Sequence, residues 1–429
     1  MKFFIYTFGC KTNTYESEAM SRLLSETGRF EEAESYGSAD VVIVNSCMVT
    51  EESEKKAKKL MRRIRRENPE AVIVLGGCMP QVNREKSLDT GADIILGNTD
   101  RSGIVRVIDE YVESRKRIFS VVPHERGEAF EMLSPMGYRS LTRANLKIED
   151  GCECFCSYCV IPFARGPVRS MPVENVYNVA KDLVNAGHRE IVLTGINIGM
   201  YGRDIGYTIY DAVKAVHEAG AERIRLGSVE IDLISDETVR NLSEVPGLCP
   251  HFHTSLQSGS DDVLKRMLRR YDSKEYRRKI ELLRECFDNA SITTDVIVGF
   301  PGESDEDFRD TVRFVRETGF FRIHVFPYSR REGTAAAKFT DQIPVEVKKA
   351  RTRELEKVAA ELKRDFLGTQ KGRVLNVLFE RNAAGEARGH AENYVEVRVR
   401  SDVSLKNRIM PVRILEVHES GEYVTGEIV

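Results

Sequence analysis

The sequence predicts an α/β protein in three parts: an N-terminal parallel-sheet α/β domain (residues 1–125), a central partial βα-barrel (141–367) and a small antiparallel β-barrel (368–429), with 126–140 as a linker. Three observations carry this expectation. The 429 residues exceed what a single core usually holds. Short β-branched runs alternate with charged helical stretches up to about residue 125 and again from Arg143. After Gly372 the pattern drops to period two with glycine-containing turns.

In the first part, strands are expected at Phe3 to Thr7, Asp40 to Asn45, Ala71 to Leu75 and Asp93 to Leu96. The stretch from Pro123 to Ser140, with Gly127 and Pro135-Met136-Gly137, lacks that patterning and reads as the linker. The second part offers six strands, Ala144 to Ile148, Glu190 to Thr194, Arg223 to Leu226, His251 to Leu256, Ile292 to Val298 and Arg322 to Phe326. Helical patterns such as Val173 to Ala186, Ser273 to Phe287 and Ser304 to Glu317 separate them, as parallel βα units require. A charged helix from about Pro344 to Leu367 leads to strands at Val374 to Phe379, Tyr394 to Arg400 and Val412 to Val417.

With 41% hydrophobic and 31% charged residues the composition is that of an ordinary globular protein, and the net charge of -3 gives no global sign of nucleic-acid binding. No stretch is apolar enough to span a membrane, and MKFFIYTFGCKTN runs into a strand and turn rather than a cleavable signal, so a cytoplasmic protein without a membrane partner is expected. Nine cysteines in a reducing compartment point to metal ligation or catalysis rather than to disulfides.

The strongest chemical signal is GCECFCSYC, where Cys152, Cys156 and Cys159 are spaced C-x3-C-x2-C directly after the first barrel strand. Three thiolates on one loop hold three irons of a [4Fe-4S] cube and leave the fourth open to a ligand. A zinc site would call for a histidine or paired knuckles, and the loop has neither. Cys154, inside the motif, is expected to be a spectator, because cysteines two apart diverge on an extended segment.

A second set is more dispersed: Cys10, Cys47 and Cys78 each follow a predicted strand, in TFGCKTN, VNSCMVT and LGGCMPQ. Open α/β sheets gather their sites at the carboxyl ends of the strands, so these three are expected to converge on a second cluster. Taken singly, each would more often be a small buried hydrophobe. Cys249 and Cys286 lack such a context and read as structural.

The C-x3-C-x2-C loop on a barrel resembles the radical S-adenosylmethionine superfamily. Together with the three-cysteine domain and the C-terminal GHAENYVEV and GEYVTGEIV, which look like a TRAM domain, the whole chain resembles the methylthiotransferase family. LKIEDGCECFCSYCVIPFARGPVRS, LTGINIGMYG, HTSLQSGSDDVLKRMLRRY, DVIVGFPGE and HVFPYSRREGTAA are most similar to the branch acting on N6-threonylcarbamoyladenosine at position 37 of tRNA. The resemblance implies two [4Fe-4S] clusters and S-adenosyl-L-methionine as cofactors, with the cluster on Cys10, Cys47 and Cys78 carrying sulfur and the other cleaving the cofactor to a 5'-deoxyadenosyl radical. A radical suits the target, since an aromatic C–H is out of reach of ordinary acid-base work. It also implies a tRNA anticodon stem-loop, a reductant such as flavodoxin or ferredoxin, and a sulfur donor as partners.

Further cofactor contacts are expected at the barrel mouth, at Thr194, Gly195 and Asn197 after the second strand, Ser228 and Glu230 after the third, Gln257 after the fourth and Asp295 on the fifth. By resemblance the Tyr158 backbone meets the adenine. The GSVEI run lacks the Ser and Pro that many relatives show at Gly227 and Ile231, and Cys154 stands where they usually carry a polar residue.

RNA contacts would rest on local patches. One is the helix with Lys55, Lys56, Lys58, Lys59, Arg62, Arg63, Arg65 and Arg66, which also reads as a solvated basic face; another is Lys265, Arg266, Arg269 and Arg270. From Lys371 to Val429 there are nine basic and nine acidic residues, leaving only Arg373, Arg398, Arg400, Lys406 and Arg408 as a candidate face. Three rival readings remain open: methylthiolation of isopentenyl-adenosine in tRNA or of an aspartate in a ribosomal protein, an iron-sulfur carrier or RNA-binding module without catalysis, and a corrinoid-dependent radical methylase. Three strand-end cysteines serve no corrinoid, and the absence of histidine before His124 removes a histidine-ligated cobalamin.

Overall fold

The computed structural model describes residues 1–48, 51–134 and 142–429. Its N-terminal domain is a six-stranded, all-parallel sheet: β1 (Lys2–Thr7), β2 (Glu31–Glu32), β3 (Val41–Ser46), β4 (Val72–Gly77), β5 (Ile94–Leu96) and β6 (Ile118–Ser120), in the order β2-β1-β3-β4-β5-β6. The run VVIVNS in β3 is buried throughout, as a central strand covered on both faces must be. Alternate residues serve the two sides. Val41, Ile43, Val72 and Val74 pack toward helices Lys11–Glu26 and Ile104–Ser114, whereas Val42, Val44, Ile73 and Leu75 pack toward helix Glu51–Glu67. Because β1, β3 and β4 are adjacent and parallel, their carboxyl ends lie side by side.

Six parallel strands make the central partial barrel: Arg143–Lys147, Glu190–Thr194, Arg223–Leu226, His251–Gln257, Ser291–Val298 and Arg322–Pro327. The third is interrupted at Gly227. Residues 223–226 pair with the second strand, and Ser228–Val229 continue the line to pair with the fourth. Ala144, Leu146, Ile191, Leu193, Ile224, Leu226, Phe252 and Leu256 face the surrounding helices in one core, so the intervening residues line the lumen. The first and sixth strands are sheet edges, leaving the barrel open on that side. Helix Lys11–Glu26 of the N-terminal domain packs beside the first strand there.

Of the expected linker, residues 126–134 are held between the domains: Phe130 and Leu133 are buried, Glu131 pairs with Arg101, and the Tyr15 hydroxyl donates to the Leu133 carbonyl. Pro135-Met136-Gly137 lie outside the described residues.

Helix Val345–Gly368 leads into a closed barrel of five strands, Val374–Ala383, Glu386–Ala391, Glu396–Arg400, Ile409–Val417 and Val424–Ile428. Its strand pairs are antiparallel, as expected, except at one junction, where Val397 pairs with Val424 in parallel. A closed ring with an odd number of strands cannot alternate direction all the way round. This barrel docks on the floor of the central one through Tyr394, whose ring stacks on His251 at 4.6 Å and His390 at 4.7 Å, with the Arg225 guanidinium 4.8 Å away. Arg223 and Arg225 also donate to the carbonyls of Ala391 and Glu392, both at 2.9 Å. Among the described residues, no helix is long and apolar enough to cross a membrane.

Candidate active site

The dispersed cysteines lie at the carboxyl ends of β1, β3 and β4. Cys10 is the N-cap of helix Lys11–Glu26, Cys47 directly follows β3, and Cys78 opens the short helix Cys78–Val82. Two glycines allow the approach. Gly9 has a φ of +116°, and a Cβ there would stand 2.8 Å from Cys47 Cβ and 3.2 Å from its Sγ; Gly77 has a φ of +92°, and a Cβ there would lie 2.3 Å from the Ser46 carbonyl oxygen. Any side chain at either position would strain the turn and push the cysteines apart. Cys47 and Cys78 are buried and Cys10 is exposed. Burial pushes the Cys78 thiol up, and Cys10 is close enough to add to that shift.

In the C-x3-C-x2-C loop, Ser157 is clamped by its backbone N–H on the Met267 carbonyl (3.0 Å) and its hydroxyl on the Arg266 carbonyl (2.8 Å). Arg269 Nη1 lies 3.2 Å from Cys156 Sγ, and its Nη2 pairs with Glu230. Asn197 Nδ2 lies 3.7 Å from Cys152 Sγ and 3.5 Å from Cys154 Sγ. The expectation that Cys154 diverges from its neighbour is therefore corrected: the loop is not extended, turning at Gly151 (φ +96°) and Phe155 (φ +49°), and the two thiols share one amide. The Cys152 thiol is held down at about 6, first by its hydrogen bond from Cys154, while burial pushes Cys159 up to about 12.

Across the domain boundary, the surroundings of the dispersed cysteines touch the short helix Ile161–Arg165 that follows the C-x3-C-x2-C loop. Cys78 packs against Met48 and Ala164, and Asn98 Nδ2 reaches both the Ala164 carbonyl (3.0 Å) and Cys78 Sγ (3.7 Å). Cys10 Sγ lies 3.3 Å from Asn13 Oδ1, which accepts from Arg165 Nη2 at 3.2 Å. Arg165, with no solvent exposure, also bonds Glu16, and Lys147, Arg101 and Asp150 complete the buried charge network. Burial raises the Glu16 carboxyl, but Arg101, Arg165 and Lys147 outweigh it and hold the group down at about 2.

The expected mouth residues divide. Thr194 and Asn197 are buried beside the cysteine loop, and Gly195 is closely approached by Glu149, whose Oε2 accepts from the Asn197 backbone N–H at 2.7 Å. Glu230 faces Cys156 through Arg269, Gln257 is buried at a bulge with a φ of +68°, and Ser228 is exposed. The Tyr158 ring packs edge-on against Phe300. Asp295 is apart from these. It meets His253 Nε2 at 3.2 Å, with His324 completing a group whose ligand atoms lie within 4.8 Å of one another.

In sequence, Arg165, Glu149, His253 and His324 have no site role, and Arg269 is offered as an RNA contact rather than a partner of the cysteine loop. Arg269 was legible only as one of a basic run, and His253 only as the alternate neighbour of His251. The basic patches are largely spoken for. Lys56, Lys58, Arg63 and Arg65 pair with Glu52, Glu54, Glu67 and Asp93; Arg266 pairs with Asp341; Arg373 pairs with Asp288 and Arg398 with Glu396.

Both donor sets fit an iron-sulfur cube. Each offers three soft thiols, one fewer than the irons, and the glycine at position 9 leaves the space beside Cys47 that a side chain would fill.

Residues 146–315 match the radical SAM superfamily, and residues 2–97 match a family described as uncharacterized protein family UPF0004. A threonylcarbamoyladenosine tRNA methylthiotransferase MtaB of Bacillus subtilis is 37% identical over 98% of this chain and 95% of its own length. A tRNA-2-methylthio-N(6)-dimethylallyladenosine synthase of Syntrophomonas wolfei is 35% identical over 86% of this chain and 85% of its own. Among solved structures, the radical S-adenosylmethionine methyltransferase TsrM from Kitasatospora setae, with cobalamin and a [4Fe-4S] cluster bound, superposes with a TM-score of 0.57 at 13% identity, covering 90% of this chain and 80% of that one. That likeness is one of fold.

Proposed function

The chain belongs to the methylthiotransferase family of radical S-adenosylmethionine enzymes, and on that premise we propose that it converts N6-threonylcarbamoyladenosine at position 37 of tRNA to its 2-methylthio derivative. The observation that supports the reading is the gathering of one three-cysteine set at the carboxyl ends of β1, β3 and β4, in contact through Asn98 and the Asn13–Arg165 bond with the short helix that follows the C-x3-C-x2-C loop. A carrier or a passive RNA-binding module has no use for two clusters each short of one protein ligand.

Cys152, Cys156 and Cys159 would ligate one [4Fe-4S] cluster and Cys10, Cys47 and Cys78 the other. When bound, the first with S-adenosyl-L-methionine supplies the radical that activates C2–H of the base, and the second supplies the sulfur. The protein's own contribution is placement. Thr194, Gly195, Asn197, Ser228, Glu230, Gln257 and the Tyr158 backbone form the mouth that would hold the S-adenosyl-L-methionine, and Arg269 ties Glu230 to the Cys156 thiol. Asp295 lies with His253 and His324 in the lumen, which favours a place nearer the substrate base than the clusters.

Base 37 belongs to the anticodon loop, whose unstacked nucleotides are splayed into a pocket at low cost. A flavodoxin- or ferredoxin-like reductant and a sulfur donor would complete the cycle, in the cytoplasm. The test is nucleoside mass spectrometry of total tRNA from a strain lacking the gene and from one carrying it. Loss and recovery of 2-methylthio-N6-threonylcarbamoyladenosine is expected. Loss of the dimethylallyl product instead would assign the other tRNA substrate, and an unchanged profile would favour the ribosomal-protein substrate.

A further inference from the structure

Outside the two cysteine sets, three consecutive strands of the central barrel each place one metal-binding side chain in the lumen: His253 on His251–Gln257, Asp295 on Ser291–Val298 and His324 on Arg322–Pro327. Strand alternation sets their direction. Phe252, Ile292, Val296 and Ile323 belong to the core outside the barrel, so His253, Asp295 and His324 face inward. Parallel pairing puts Thr293 beside His253 and His324 beside Asp295, so the aspartate stands level with one histidine and one pleat nearer the mouth than the other. His253 Nε2 reaches Asp295 Oδ2 at 3.2 Å, the two imidazole rings lie 5.8 Å apart, and one ligand atom from each residue falls within 4.8 Å of the other two.

The His253 ring is held from behind. Its Nδ1 lies 2.9 Å from the Thr293 hydroxyl, which stands 3.5 Å from Nε2 of His251, itself stacked on Tyr394 at the barrel floor. A hydroxyl at Nδ1 fixes the ring and leaves Nε2 for an electrophile, as outer groups orient metal-bound imidazoles. A proton between Nε2 and the carboxylate accounts for only two of the three groups. It gives His324 nothing to do, and that imidazole has no hydrogen-bond partner among the described residues. A metal ion uses all three. The sixth strand borders the open side of the barrel, where His324 is exposed and the other two are half-buried, so an ion can enter and keep one position free.

We propose that His253, Asp295 and His324 form a third metal site, which takes one divalent transition-metal ion of the zinc class through His253 Nε2, an Asp295 oxygen and a ring nitrogen of His324. Two imidazoles and one carboxylate, with the fourth position open, are the donor set of catalytic rather than structural zinc sites. Rotation of the side chains brings the donors to the separation of about 3.3 Å that bonds of about 2.0–2.1 Å to a tetrahedral ion require. The open position presents a Lewis acid to a carbonyl or carboxylate oxygen of the group that enters the lumen. The donor set is independent of which adenosine is modified.

The experiment equilibrates protein holding both clusters with one molar equivalent of zinc under anaerobic conditions, removes free metal, and measures zinc, iron and the zinc-edge X-ray absorption spectrum, which is blind to the irons. The expected result is about one zinc per chain with unchanged iron, a first shell of nitrogen and oxygen at about 2.0–2.1 Å showing two imidazoles, and no sulfur at about 2.3 Å. His253→Gln and His324→Gln should each weaken zinc about tenfold or more in competition with a chelator, since even outer groups at metal sites matter by about 10–100-fold. Failure to retain zinc, a sulfur shell that puts the ion on cysteines, or variants that hold zinc as tightly as the unaltered protein would overturn the proposal. Should a variant fail to keep its iron, the spectrum of the unaltered protein decides, and a shell without two imidazoles overturns the site.

Discussion

Arg165 and Glu16, 149 residues apart in the chain, meet with neither side chain exposed to solvent, Nη2 standing 3.1 Å from Oε2. Arg165 ends the short helix that follows the C-x3-C-x2-C loop, and Glu16 lies on the helix that Cys10 caps. Their contact thus fixes one cysteine set relative to the other.

Removing one partner of a buried ion pair strands the other. Glu16→Gln leaves Arg165, Lys147 and Arg101 to share Asp150 and is expected to cost about 3–5 kcal/mol of stability, read by thermal denaturation of the cluster-loaded protein. In Arg165→Met the link to Asn13 is lost as well. That variant should still form 5'-deoxyadenosine but yield less methylthiolated RNA per cofactor cleaved; an unchanged ratio would show that the contact does not align the two sets.

The junction with the C-terminal barrel depends on Glu190. Burial by itself would raise this carboxyl, but Arg225, Arg223 and Arg143 hold it well below the usual carboxylate range. A depressed pKa stabilises the fold above the unfolded carboxylate's range, and that contribution is lost as the pH falls toward the folded value. Glu190→Gln should therefore destabilise the protein by about 3–5 kcal/mol near neutrality. The gap from the unaltered protein should narrow in acid, in chemical denaturation followed across pH; a gap independent of pH would contradict the assignment.

Arg269 ties the Cys156 thiol to Glu230. Groups that orient ligands in this way typically matter by about 10–100-fold in affinity or activity. Arg269→Gln is expected to keep its iron and to lower reductive cleavage of S-adenosyl-L-methionine by that order. A variant with full cleavage activity would remove Arg269 from the site.

Cys154 lies beside Cys152, yet the cube needs only the three motif thiols. Cys154→Ser should bind as much iron as the unaltered protein in an anaerobic iron and sulfide assay, whereas Cys152→Ser should not. Equal losses would make Cys154 a ligand.

The layers of this fold were legible because they rest on local periodicity. The buried VVIVNS run, the βα alternation and the final change to period two each survive in the structure. What escaped lacks that signal. The strand Glu386–Ala391 reads EARGHA, with a glycine whose Cβ would stand 2.2 Å from the Leu378 carbonyl oxygen, so close backbone packing rather than apolar alternation defines it. At the site, cysteine spacing showed the loop and strand-end placement suggested the second set. The groups that join them, Asn98, Arg165 and Glu16, were invisible because each belongs to a contact between domains. Polar residues that meet only after docking leave no periodic trace.

The dispersed cysteines carry the central claim, that one set serves cofactor cleavage and the other sulfur delivery. The decisive measurement is an anaerobic single-enzyme reaction with Cys10→Ala, Cys47→Ala and Cys78→Ala proteins, in which 5'-deoxyadenosine and modified stem-loop RNA are quantified together. The expected result is continued formation of 5'-deoxyadenosine with no methylthiolated adenosine. Methylthiolation at the unaltered level in any of the three would contradict the division of labour between the two cysteine sets.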